Sequence, residues 1–326
     1  MNNPDMMFLE KYMDELRIPY EELASATNSF SDANRLKQAT VELYKGHILQ
    51  SEEWINIIAR KSQNQSIIQN EVKLSYHLVH ENIASIFKIC KDDNGMLIIV
   101  NKHEANGSLD NHLSGSSLSW IQRLRICLGV ARALSYIHYG VESGLSVIHG
   151  NIKSSKIILN DKWEPKLSGF GFSIKVTQSQ HLYLSKYNGT SQYMDPANET
   201  GGLSSKSDVF SFGVLLFEVL FGEVASIQDG DNLYFVRLAK RQYEEKKLDD
   251  KIDPDLRQQM NSQSLEIFSK LAYCCSMDMR AQRPDMNQIV NLLERALELQ
   301  EKHECPVTST IEVKTTPSNS LKKVRN

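Results

Sequence analysis

The stretch that decides the fold is His149-Gly-Asn-Ile-Lys-Ser-Ser-Lys-Ile-Ile-Leu159, a polar loop carrying Asn151, Lys153 and Lys156 that runs into a short apolar segment. Further landmarks flank it in a set order. Downstream lie Lys166-Leu-Ser-Gly-Phe-Gly171, Gly189-Thr-Ser-Gln-Tyr-Met-Asp-Pro-Ala197, Ser207-Asp-Val-Phe-Ser-Phe-Gly213 and Arg283-Pro-Asp-Met286. Upstream lie Tyr20-Glu-Glu-Leu-Ala-Ser-Ala-Thr-Asn-Ser-Phe-Ser31, Asn106-Gly-Ser-Leu109 and Leu118-Ser-Trp-Ile-Gln-Arg-Leu124.

The 326 residues around these landmarks fit one large domain or two lobes. A hydrophobic share of 41% and a charged share of 24% are ordinary for a globular chain. The formal net charge of -3 gives no basic field, so no nucleic-acid partner is expected. Cys90, Cys127, Cys274, Cys275 and Cys305 form no C-x-x-C pair and read as free thiols in a reducing compartment. The longest apolar run, Val209 to Phe221, is too short to span a bilayer, and no signal peptide or myristoylation site opens the chain. The expectation is a cytoplasmic protein without membrane insertion, held at the plasma membrane, if at all, through a partner.

Period and composition divide the chain. Residues 5–16 place Met6, Leu9, Met13 and Leu16 at helical spacing, an amphipathic helix expected to pack on its own domain and ended by Pro19. From 41 to 104 the chain reads as short strands with one helix. The strands are Trp54–Ala59, Ile83–Lys91 and Met96–Val100, and the helix covers 66–79 with Glu71 on it. Asn94-Gly95 marks a hairpin turn between the last two strands. From 105 onward the pattern is helical: Trp120–His138 carries a 3.6-period stripe, Asp208–Phe221 is apolar nearly all round, and 285–301 presents one apolar face. The expected organisation is an N-terminal helix and lead-in (1–19), a strand-rich lobe (20–104), a helical lobe (105–298) and a disordered tail (299–326). The fold class is α+β, a small antiparallel-sheet lobe beside a larger helical one.

In this order and spacing the landmarks resemble the eukaryotic protein kinases, and the upstream segments resemble plant receptor-like kinases in particular. The resemblance covers about residues 18–298 and implies a bilobal kinase fold with a nucleotide cleft between the lobes. It sets His149–Lys156 at the catalytic loop, Ser168–Gly171 at the D-F-G site and Gly189–Ala197 at the end of the activation segment.

The functional argument lies in the departures. No Gly occurs between Ser31 and Lys45, where a phosphate-covering loop needs glycines for close backbone approach. The third-strand lysine falls on Arg60 or Lys61, with Glu71 as the candidate partner on the helix. The catalytic base is Asn151, whose amide takes no proton at neutral pH, and positioned acid–base groups contribute about 10²–10⁴-fold. One metal-ligand position holds Lys156 and the other Gly169, where Mg²⁺ wants oxygen. An ammonium about 4 Å from Mg²⁺ would repel it by roughly 8 kcal/mol at an effective dielectric of about 20. Lys153 and Lys156 face the same cleft by this resemblance, and Asn101 lies at the hinge behind it. The Arg that would pair with an activation-loop phosphate is Gly150. The Glu that would pair with Arg283 is Ala197, which leaves Arg283 in need of another acceptor.

The resemblance with these losses implies a pseudokinase, an inactive receptor-like kinase that regulates or scaffolds active kinases and receptor complexes. Neither cofactor nor metal is expected, and ATP without metal is the lesser possibility. Two alternatives stand beside it. One is an atypical serine/threonine kinase using Lys61, Lys153 and a displaced carboxylate. The other is a decoy substrate with phosphosites at Ser179, Ser185, Thr190 or Ser191.

Overall fold

The computed structural model describes residues 4–37, 41–115, 117–141, 145–177 and 190–304. The N-terminal helix α1 (Pro4–Glu15) and α2 (Tyr20–Ala26) precede an antiparallel sheet of β1 (Arg35–Lys37), β2 (Glu42–Gln50), β3 (Glu53–Lys61), β4 (Lys88–Lys91) and β5 (Leu97–Lys102), with α3 (Gln65–Ser75) between β3 and β4. The strand order is β1-β2-β3-β5-β4.

The period-2 alternation of these strands sorts their side chains onto two faces. Tyr44, Ile48, Ile57, Ala59, Ile98 and Val100 form an outer core with Ile18 and Leu23 from the N-terminal segment. Leu97, Ile99 and Ile89 turn the other way and pack on Ile68 and Val72 of α3. The Asn94-Gly95 turn is present, with Gly95 in the left-handed region.

One strand is shorter than its sequence suggests. Ile83–Ile86 is largely apolar but does not pair with the sheet, whose strand β4 is Lys88–Lys91. Ile83 instead bridges to Leu167, Ala84 N–H donates to Leu167 O at 2.9 Å, and Asn82 Nδ2 donates to Pro165 O. The start of this segment is committed to the other lobe, and bonding to the sheet begins at its end, where Phe87 N–H donates to Val100 O at 2.9 Å.

The larger lobe follows. Helix α4 (Trp120–Ser135) begins in a reciprocal Ser119–Gln122 cap. Then come β6 (Leu145–Ile148), β7 (Ile157–Leu159), β8 (Pro165–Leu167), β9 (Ile174–Thr177) and the short α5 (Asn198–Gly201). Helices α6 (Ser205–Phe221), α7 (Tyr234–Glu244), α8 (Pro254–Gln259), α9 (Ser262–Cys275) and α10 (Met286–Glu304) complete the lobe. Phe210, Phe212 and Phe217 of α6 are fully buried, which explains a helix apolar on every side. Among the described residues no helix is long and apolar enough to cross a membrane.

α10 runs through Glu304, so residues 299–304 are helical rather than part of a disordered tail, and the rest of that tail lies outside the described residues. Cys90, Cys127 and Cys275 are buried and Cys274 half-buried, all as free thiols, while Cys305 lies outside the described residues.

Candidate functional site: the cleft between the lobes

The floor of the cleft is the loop after β6. Asp208, in the first turn of α6, holds its backbone: Oδ2 accepts from His149 N–H and Oδ1 from Gly150 N–H, both at 2.8 Å. His138 Nε2 donates to the same carboxylate at 2.9 Å. Gly150 has φ +73°, a left-handed turn that glycine adopts without strain. The His149 ring accepts from Asn151 N–H on Nδ1 and donates from Nε2 to Ser168 O. Burial pushes its pKa down to about 4, outweighing the pull of Asp208, so the ring is neutral and fixed in one tautomer.

Asn151 is buried, and its Oδ1 accepts from the Thr190 hydroxyl at 3.3 Å. Thr190 Oγ1 in turn accepts from Lys153 Nζ at 2.7 Å. Of the four expected phosphosites, Thr190 thus has its hydroxyl held between two partners. Ser191 Oγ lies 3.5 Å from Gln192 Oε1, and Ser179 and Ser185 fall outside the described residues.

Gly169 takes φ +89°. A Cβ added there would lie 2.8 Å from Lys156 Cδ and 3.2 Å from its Nζ. The Lys156 side chain therefore covers the place where the family's ligand aspartate would project, and the two departures are one spatial event. Ser168 fixes the arrangement by donating both its N–H (2.8 Å) and its hydroxyl (3.0 Å) to Lys156 O.

The roof resolves the register left open by sequence. Arg60, not Lys61, turns toward α3 and pairs with Glu71 at 2.6 Å, both side chains nearly buried. Lys61 points to the opposite face of β3, 4.7 Å from the Phe30 ring centroid. The short spacing to Glu71 suffices because α3 starts only four residues after Lys61. Asn101 shares the inner face of β5 with Ile99, opposite Ile58, and donates to Ser85 O at 2.8 Å, so its amide ties down the loop before β4.

Two residues that the sequence reading did not single out complete the frame. Asn70 on α3 donates to Ser173 O (2.8 Å) and Gly171 O (3.1 Å), tying the helix to the larger lobe. Asp195 supplies the acceptor that Ala197 cannot. Its carboxylate takes Arg283 Nη2 at 2.7 Å and Arg280 Nε at 2.9 Å, and both Asp195 and Arg283 side chains are fully buried. Burial alone would raise its pKa, but the two guanidinium groups outweigh that and hold it below its ordinary value. The only sequence signal was an acid two residues before Ala197.

The cleft thus holds the amide of Asn151, the ammonium of Lys156, bare backbone at Gly169 and an Arg60–Glu71 pair. This donor set does not suit a magnesium nucleotide, which needs carboxylate or amide oxygen at the two ligand positions.

Comparison with known proteins gives the family of the fold. The protein kinase domain family matches residues 54–292. A putative receptor-like protein kinase of Arabidopsis thaliana is 34% identical over 298 residues, covering 86% of this chain and 33% of the relative. The Arabidopsis receptor-like protein kinase FERONIA is 31% identical over 296 residues, covering 87% and 33%. A probable LRR receptor-like serine/threonine-protein kinase of the same plant is 31% identical over 292 residues, covering 88% and 33%. The chain belongs to the protein kinase family, in the group of plant receptor-like kinases. It spans about a third of the length of these relatives.

Proposed function

We propose that this chain is a pseudokinase, a kinase-fold interaction module that regulates or scaffolds active receptor-like kinases without transferring phosphate, at the cytoplasmic side of the receptor complexes it joins. The observation that carries this reading is Lys156 lying over Gly169 beside Asn151. The base position and both metal-ligand positions are changed together, so none of the three makes good the loss of another. The frame that would present a surface is intact: Asp208 holds the loop and Asp195 anchors Arg283.

Incubation with labelled ATP tests this reading. No label should enter the chain or a generic substrate, and Mg²⁺ or Mn²⁺ should add nothing to any thermal shift caused by ATP. Incorporation that is lost in Lys153→Ala would overturn it. The closed Arg60–Glu71 pair favours the second reading, an atypical serine/threonine kinase, and the same assay separates the two.

A further inference from the structure

The N-terminal segment makes a set of contacts that the cleft does not explain. α1 is 12 residues long, marginal as an isolated helix in water, so docking must hold it. Leu9, Tyr12, Met13 and Leu16 pack on the cluster that contains Ile68 and Val72 of α3; Met6 lies outside the described side chains. The Tyr12 hydroxyl sits 3.1 Å from Ser75 Oγ at the end of α3, and its ring meets Tyr76 edge-on at 5.4 Å. The chain then runs along β4, the last strand of the sheet. Leu16 O accepts from Ile89 N–H at 2.8 Å, and Ile18 N–H donates to Ile89 O at 3.0 Å. An otherwise unpaired strand edge is thereby covered.

From its other side α3 is held by the larger lobe. Asn70 ties it to Ser173, and a Cβ at Gly171 would come within 2.2 Å of Ile67 Cγ2, so the helix seats directly on that glycine. In working protein kinases the placement of this helix is the controlled variable, closed through the lysine–glutamate pair and activation-loop phosphorylation. Here the position that would read such a phosphate is Gly150.

We propose that α1 is a built-in clamp that fixes α3 and keeps Arg60 on Glu71 without nucleotide or phosphate input, so that the small lobe offers partners one constant surface. The inference goes beyond the pseudokinase reading and does not depend on it: a chain that transfers phosphate could carry the same clamp, and the labelled-ATP assay decides that question separately.

Hydrogen exchange on the full chain tests the clamp. Leu9→Asp with Met13→Asp should speed exchange in 65–75 by about tenfold or more, with α6 unchanged. The milder Tyr12→Phe, which keeps the apolar contacts, should speed it by roughly two- to threefold. Arg60→Met should change it by less than about threefold, because the clamp and not the ion pair holds the helix. ATP with Mg²⁺ should leave it unchanged. The clamp is refuted if both α1 variants leave α3 protected, or if ATP with Mg²⁺ slows exchange about tenfold in the unaltered chain. It is refuted equally if β2 and β3 lose protection in step with α3, since α1 would then be one more piece of an undivided core.

Discussion

By the kinase resemblance, two positions of the molecule stand without the carboxylate expected there, Ala197 and Gly169, and their surroundings differ in kind. At the base of the larger lobe Ala197 removes the partner of Arg283, and Asp195 takes its place two residues upstream, accepting from Arg280 as well. In the cleft Gly169 stands where the resemblance expects a ligand aspartate, and the side chain of Lys156 lies where a Cβ would project. A buried guanidinium without an acceptor would cost the fold several kcal/mol, so that loss has to be made good. A missing metal ligand costs the fold nothing. The comparison separates what this chain needs for standing from what a kinase needs for chemistry.

The largest expected effect lies at the anchor. Asp195→Ala should destabilise the chain by about 3–5 kcal/mol, read by denaturant unfolding, because it removes the one carboxylate that two arginines share. A loss below about 1 kcal/mol would break the comparison at its root, since Arg283 would then be satisfied by the carbonyls of Met277, Lys206 and Asp278 alone.

Glu218 sharpens the same side. Its buried carboxyl binds the Tyr193 hydroxyl and the Ala225 N–H, and burial pushes its pKa up to about 7 from an ordinary 4.5. The folded chain keeps this proton where the unfolded chain sheds it. The stabilisation is full below 4.5 and is lost as pH rises through about 7. His149 runs the other way, losing stability as pH falls from 6.5 toward 4. Thermal unfolding of the unaltered chain and of Glu218→Gln across pH 5–8 isolates the carboxyl. Their difference should change by about 1–3 kcal/mol, and parallel curves would remove Glu218 from the account.

On the cleft side, a carboxylate returned at Gly169 would meet an ammonium already lying there. Gly169→Asp alone should give no Mg²⁺-dependent thermal shift with ATP, because Lys156 pairs with the new acid. Gly169→Asp with Lys156→Asn should gain one of several degrees. Equal shifts in both variants would mean that Lys156 does not control the ion. The smallest effect is expected for Thr190→Val, about 0.5–1.5 kcal/mol on unfolding, from the hydrogen bond to Lys153.

Much of this was legible in the order of residues because period and turn chemistry are local. The alternation of Trp54–Ala59, the Asn94-Gly95 turn and the apolar surround of Asp208–Phe221 all name their elements directly. What was not legible depends on orientation or distant partners. Arg60 and Lys61 are chemically alike in sequence, and only the face of β3 tells them apart. Ile83–Phe87 has strand-like composition, but the backbone of Ile83 and Ala84 bonds to β8. Asp195 carries no local signal of its role, because its partners are two arginines from beyond residue 279. Lys156 was seen as a departure, yet its place over Gly169 needed the left-handed turn at that glycine.

That overlap couples the two positions. Of the two replacements, neither can be undone usefully by itself: an acid restored opposite the lysine is neutralised on arrival, and an asparagine restored beside the glycine finds no ion to share. On the pseudokinase reading, a seat for the ion returns only to a chain that changes both positions at once, and Asn151 would still leave that chain without a base.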